Sequence, residues 1–274
     1  MWTMVRALLD PNLAVLELGA RYGTTSCVLA AQTRNSGRVV SVEPDPRAHV
    51  VLQENLHRHS CSVGVFRGTI GHTTQVIAEN PRQPNQTYEL RTRPFSTASD
   101  SLARRLDRLT ASELERFTGL RFGSLVVDCE GCLDDAFADD WLTRRSAVEL
   151  IILELDAPRR ISYTKWHAKL EDHGFQRIWR LEDAMYGGSG TGHVAYHRSL
   201  RSAGGAERAL PSCREYANRQ PGWRCVSRVD TVRPGFRNPR YTCGSRLTCL
   251  SPGVVNGSRE AAELKVLRAN QKKG

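Results

Sequence analysis

Three short stretches of this 274-residue chain end an apolar run in acidic side chains beside glycine. In VLELGARYGTTS the run closes on Glu17, and Gly19 and Gly23 follow at the mouth of a helix-forming segment. Gly19 permits a tight strand-to-loop turn and close approach of backbone to a ligand, while Gly23 lets the next helix start against a sheet. Ala20, Arg21 and Tyr22 fill the loop between them, and Thr24 and Thr25 are placed to cap the helix and to bond a ligand carboxylate. In VVSVEPD the run closes on Glu43 and Pro44, about 20 residues beyond the glycine loop, where an acidic residue accepts both hydroxyls of a ribose. In LVVDCEGCLDD a third run passes into Asp128 and Glu130 around Gly131.

This combination points to S-adenosylmethionine as cofactor. A ligand without a pyrophosphate tolerates Glu17 where a dinucleotide site needs the first glycine of Gly-x-Gly-x-x-Gly, and the ligand's ammonium supplies the counter-charge. A Walker-type loop requires Gly-Lys-Ser/Thr after its spacer, and the chain has none there. Gly68 and Thr69, after the third β-rich run, complete the expected cofactor contacts together with Asp128. Ligands of open α/β sheets bind beyond the carboxyl ends of the strands, so Asp128 and Glu130 are expected at the reaction centre, one of them as general base. Helix capping is the bland reading of one acidic residue there, and it fits two around a glycine less well. His193, which opens the last strand beside the loop GGSGTG, is the next candidate base, against a purely structural role. Glu154 and Asp156 end the run IILELDAP and are candidates for lining the same cleft.

Such residues need a parallel sheet to hold them, and the periodicity supplies one. Seven β-rich runs are expected at Ala14 to Leu18, Arg38 to Val42, Ser62 to Arg67, Ser124 to Asp128, Leu150 to Leu155, Gln176 to Leu181 and His193 to His197. Helix-length segments separate them at Thr24 to Thr33, Pro46 to His59, Ser101 to Phe117 and Tyr163 to His173, and MWTMVRALLDPN reads as a helix entering the first strand. The stretch from Gln75 to Phe95 is expected to add a strand or hairpin over the cleft. A turn-rich loop joins the last two strands, which should therefore pair antiparallel. The expected fold is α/β, a Rossmann-like sheet of the class I methyltransferase layout flanked by helices.

After about residue 198 these patterns fade, giving a domain at 1–198 and a basic, Cys-containing extension at 199–274 that ends in a helical stretch from Arg259 to Ala269. The net charge of +10 lies almost wholly in that extension: 16 of the 39 Lys and Arg residues but only 5 of the 29 Asp and Glu fall from Arg198 onward. A near-neutral front domain argues against a nucleic-acid acceptor, and the chain lacks the Asn/Asp-Pro-Pro-aromatic signature of many base methylases; a small molecule or glycan is the expected partner. Cys27, Cys61, Cys129 and Cys132 lie in or beside apolar segments and read as small buried hydrophobes. Cys213, Cys225, Cys243 and Cys249 sit in polar, Gly/Pro-rich sequence where disulfides are expected, ahead of free thiols or zinc. No run approaches the roughly 20 apolar residues of a membrane span, so a cytoplasmic protein is the default expectation, with the secretory pathway the alternative if a targeting segment precedes this sequence.

The three acidic stretches together resemble the FkbM-type methyltransferases, whose recurrent strand ends in Asp-x-Glu-Gly, here Asp128, Cys129, Glu130 and Gly131. The segment SDSLARRLDRL is similar to the family's approach to that strand, and the likeness spans roughly residues 13 to 198. It implies that Glu17, Gly19, Gly23 and Glu43 hold the cofactor and that Asp128 and Glu130 stand at the reaction centre. Two positions depart from the pattern: Val126 replaces a Lys, and Leu133, followed by Asp134, stands where a Glu is usual. O-methylation of a hydroxyl is the expected reaction, and the rival readings are a non-catalytic scaffold of the same fold and a polyanion binder acting through the Arg-rich extension.

Overall fold

A computed structural model describes residues 1–78, 91–100, 103–138, 140–143, 146–155, 160–182 and 192–198, with the backbone of three later strands. The central strands are continuous apolar runs because both faces of the sheet are covered. In chain order the strands begin with β1 (Ala14–Leu18), β2 (Val39–Val42) and the less buried edge strand β3 (Val63–Phe66), followed by two short strands outside the main sheet, β4 (Thr69–Ile70) and β5 (Gln75–Ala78). Then come β6 (Arg91–Pro94), β7 (Arg108–Leu109), β8 (Phe122–Val127), β9 (Leu150–Glu154), β10 (Phe175–Glu182) and β11 (Gly192–Arg198). The helices are α1 (Trp2–Leu8), α2 (Thr24–Gln32), α3 (Pro46–Arg58), α4 (Ala111–Thr118), α5 (Leu133–Ala136) and α6 (Tyr163–Asp172).

The main sheet runs β10-β11-β9-β8-β1-β2-β3. Pairing is parallel from β9 through β3, and β11 lies antiparallel to both β9 and β10. This is the Rossmann-like layout expected from the sequence. Beyond β10 the sheet continues through β12 (Arg224–Ser227), β13 (Tyr241–Cys243) and β14 (Leu247–Leu250), with β13 hydrogen-bonded to β10. The extension, whose sequence shows no strand periodicity, thus lengthens the same sheet. The expected terminal helix from Arg259 to Ala269 lies outside the described residues.

Alternation along the strands divides the core in two. Leu16, Val40, Leu125 and Ile151 face one side, where Leu114 of α4 and Trp166 and Leu170 of α6 cover them. Val15, Val39, Val126 and Ile152 face the other, against Met4 and Val5 of α1 and Leu29 of α2. Each strand therefore delivers its last residues to the carboxyl edge with both faces fixed by packing.

Two expectations need correction. The segment from Ser101 to Phe117 is not one helix: the Leu106 amide donates to the Gln75 carbonyl, Arg108 and Leu109 pair with Thr69 and Ile70, and the helix starts only at Ala111. A Thr110–Glu113 capping box fixes that start. Gln75–Ala78 and Arg91–Pro94 do form the anticipated hairpin.

The front cysteines are not free thiols. Cys27 of α2 joins Cys61 beyond α3, and Cys129 joins Cys132. Packing of α2 beside the α3–β3 turn brings the first pair to a Cα separation of 5.3 Å, and the tight loop after β8 brings the second to 5.5 Å. The expected disulfides of the extension lie outside the described residues, since only the backbone of Cys225, Cys243 and Cys249 is described and Cys213 is not.

Cys27–Cys61 closes a separation of 34 residues, for which chain entropy gives roughly 3–4 kcal/mol; Cys129–Cys132, three apart, gives only about 2. A Cys27→Ala/Cys61→Ala protein should accordingly unfold at clearly lower denaturant concentration, by roughly 2–5 kcal/mol. Equal midpoints for variant and parent in urea melts would show that this bridge does not restrain the chain.

Candidate functional site

Backbone comes before side chains at this site. The Gly19 and Ala20 amides donate to the Val42 carbonyl at 3.0 and 3.1 Å, and the Asp128 amide donates to Leu18 at 2.9 Å. The loops after β1, β2 and β8 therefore meet at the sheet's carboxyl edge. Gly19, at φ +89°, touches the third loop: a Cβ there would lie 1.7 Å from the Asp128 carbonyl oxygen. No other residue type fits. Gly23, at φ +83°, is itself the N-cap of α2, so the helix starts without the side-chain cap expected of Thr24 or Thr25. Thr25 Oγ1 instead accepts from Trp2 Nε1 at 3.1 Å, and Tyr22 is fixed through its carbonyl by Asn55 Nδ2 at 2.8 Å.

Glu43 closes the loop from the other side. One carboxylate oxygen accepts from the Arg21 amide at 2.7 Å and the other from the Asp45 amide at 2.8 Å, with the side chain buried beside half-buried Pro44. Arg21 adopts φ +49°, a left-handed conformation that this hydrogen bond holds. Burial raises the Glu43 carboxyl above its ordinary pKa, and the two amide hydrogen bonds oppose that rise. Asp45 then caps α3 by accepting from the Arg47 amide.

Glu17 lies beneath the loop, 1% exposed, and accepts from the hydroxyls of Ser26 and Ser41, each at 2.5 Å. Burial pushes its pKa up to about 7; the two hydroxyls oppose this, while Asp128 and Glu43 add to it. Glu17, Glu43 and Asp128 thus form one electrostatic group at the ends of three adjacent strands. The sequence missed Ser26 and Ser41, whose only signal is a hydroxyl at a buried position of an apolar run.

Asp128 and Glu130 are half-buried on the third loop, with Glu130 at φ +55° and Gly131 at φ +99° between the bridged cysteines. His193 Nε2 lies 3.5 Å from Glu154 Oε1 across the β9–β11 pair. Asp156 and all but the last glycine of GGSGTG lie outside the described residues. Gly68 is held so close to β7 that a Cβ would come within 2.3 Å of the Asp107 carbonyl oxygen. The Thr69 hydroxyl beside it is buried and has no hydrogen-bond partner among the described residues.

The two departures from the family pattern are absorbed by packing. Val126 is fully buried under α1 and α2, and Leu133 is buried on the opposite face. Asp134 accepts from Trp166 Nε1 at 2.6 Å, and Asp135 accepts from the Thr73 amide and Gln75 Nε2. Both carboxylates anchor α5 to its neighbours. Among the described residues no His, Cys, Asp and Glu group is arranged to hold a metal ion, and no helix is long and apolar enough to cross a membrane.

No family model matches the chain, and no curated protein does. Solved structures that resemble it include cofactor-bound Rv0187 from MTB, at 17% identity and TM-score 0.45 over 72% of this chain and 77% of that one. An O-methyltransferase from Bacillus cereus in complex with SAH gives 15% identity and TM-score 0.43 over 72% and 78%. The O-methyltransferase TomG from Streptomyces achromogenes in complex with SAM gives 14% and 0.41 over 71% and 75%. At such scores the reading of the site rests on its own geometry.

A carboxyl whose pKa is higher folded than unfolded keeps its proton preferentially in the folded protein, so stability falls as pH rises between the two values. For Glu17 that window runs from the ordinary glutamate value of 4.5 to about 7. Urea melts across it should show declining stability in the parent and a shallower decline in Glu17→Gln. Identical slopes would mean that Glu17 carries no burial penalty.

Proposed function

We propose that this chain binds S-adenosylmethionine at the carboxyl edge of β1, β2 and β8 and transfers its methyl group to a hydroxyl of a small molecule or sugar. The observation that carries the reading is the buried Glu17 carboxyl, repelled by both Asp128 and Glu43 around a glycine loop, an arrangement that suits a ligand bearing positive charge on both sulfur and nitrogen. At Glu43 the charge of Arg21 opposes the repulsion from Asp45.

The residues fit the group in three further respects. The Gly19 turn brings backbone, not side chain, to the ligand's face. Glu43 uses one acceptor site on each oxygen for the loop amides, leaving lone pairs for a ribose diol. The Thr69 hydroxyl, without a hydrogen-bond partner among the described residues, stands beside Gly68, and both are expected from the sequence to contact the cofactor.

When bound, the cofactor supplies an electrophilic methyl carbon. Glu17 acts from below the loop as counter-charge for the ammonium, with the loop residues from Ala20 to Thr25 shaping the wall above it. Asp128 and Glu130 stand beyond β8, where an acceptor hydroxyl has to give up its proton, and one of their carboxylate oxygens takes it. His193 is the alternative base, its imidazole oriented by Glu154. Excluding water from the aligned nucleophile does the rest, since displacement at an activated carbon asks mainly for positioning.

Calorimetry with S-adenosylmethionine tests this without knowledge of the acceptor. The parent should bind at micromolar concentration, Glu43→Ala at least tenfold more weakly, and the parent's affinity should rise from pH 6 to 7.5 as Glu17 ionises. Absence of binding by folded parent would sink the reading; binding without methylated product across a panel of hydroxylated small molecules and sugars would favour a scaffold.

A further inference from the structure

We propose that Cys129 and Cys132 form a reversible thiol–disulfide couple, and that its state sets the conformation of the loop carrying Asp128 and Glu130. The two cysteines enclose only Glu130 and Gly131, both at positive φ. Glycine adopts that region freely, but a glutamate does so at a cost and needs a restraint. The covalent bond across the turn is such a restraint. With it broken, Glu130 is released toward the negative φ its side chain favours, and its carboxylate moves.

The loop's surroundings couple that movement to the cofactor side. A Cβ on Gly19 would lie 3.2 Å from the Cys129 Cα as well as against the Asp128 carbonyl, so the glycine loop and the cysteine loop share a contact surface. The pair is also placed for exchange. Both cysteines are half-buried, and the Cys132 amide donates to Cys129 Sγ at 3.1 Å, an arrangement that stabilises a thiolate on Cys129 once the bridge opens. Cys27–Cys61 differs in kind: it ties two separate elements 34 residues apart and packs beside Leu52 and Leu56.

The exchange is balanced with a dithiol as co-reactant. Its thiolate attacks Cys132 Sγ, the disulfide bond breaks, and Cys129 leaves as the stabilised thiolate. The reductant's second thiol then displaces Cys132 from the mixed disulfide. Two electrons and two protons pass to the cysteine pair, and the reductant departs as its own disulfide.

The test uses the full chain equilibrated in graded mixtures of reduced and oxidised dithiothreitol, quenched by alkylation and read by mass spectrometry. Cys129 and Cys132 should titrate together and reversibly, in a transition apart from that of Cys27 and Cys61. Co-titration of all four, or failure to re-form the bridge, overturns the couple. Hydrogen exchange of the amides from 128 to 133 reads the loop without any ligand, and should be at least fivefold faster in the reduced parent. Equal exchange overturns the conformational role. The third measurement alone rests on the methyl-donor reading: affinity for S-adenosylmethionine should differ at least fivefold between the two states, and Cys129→Ser/Cys132→Ser should match the reduced parent under both conditions. Equal affinities in both states overturn coupling to the cofactor. Failure of both states to bind sinks the methyl-donor reading instead, and exchange of the same amides still decides the switch.

Discussion

The backbone contact between Gly19 and the Asp128 carbonyl is the constraint on which the rest of the site depends. It needs a glycine in a left-handed turn, and it needs β1 and β8 to be direct parallel neighbours whose ends finish level. That level finish is a matter of side-chain packing. Leu16 and Leu125 share one face and Val15 and Val126 the other, so a one-residue slip of either strand would exchange the faces and separate the two loops. The core thus specifies the carboxyl edge to within a residue, and the acidic side chains inherit that accuracy.

Three carboxylates at one edge oppose folding in the free protein, and the structure answers each differently. Glu17 takes two hydroxyls and a raised proton affinity, Glu43 takes two backbone amides, and Asp128 stays half exposed to water. Desolvated negative charge placed this way is tolerated where a cationic partner completes the arrangement.

How much was legible follows from the same division. The seven strands could be placed to within two residues because each is a buried run bounded by turn residues, and the glycine and acidic positions were visible because backbone turns restrict residue type so strongly. The helix drawn from Ser101 was misplaced because LARRLDRL has helical spacing, yet Gln75, Thr69 and Ile70, distant in sequence, take up its backbone hydrogen bonds. Nothing in the sequence pointed to the partner of Asp134, because Trp166 reaches it from α6, 32 residues away. The Cys129–Cys132 bridge had a signal in its own spacing, hidden by the apolar company that suggested buried thiols.

The position of β11 governs how the molecule can be assembled. It lies between β9 and β10, both of which precede it in the chain. A chain emerging from the ribosome therefore holds β9 with one unsatisfied edge until residue 198 is available, and β10 cannot take its final place before then. The parallel half, from β9 through β3, has its own neighbours and can order earlier. The edge that carries Glu17, Glu43 and Asp128 belongs wholly to that early half, so it can order first, and β11 later closes the sheet between β9 and β10.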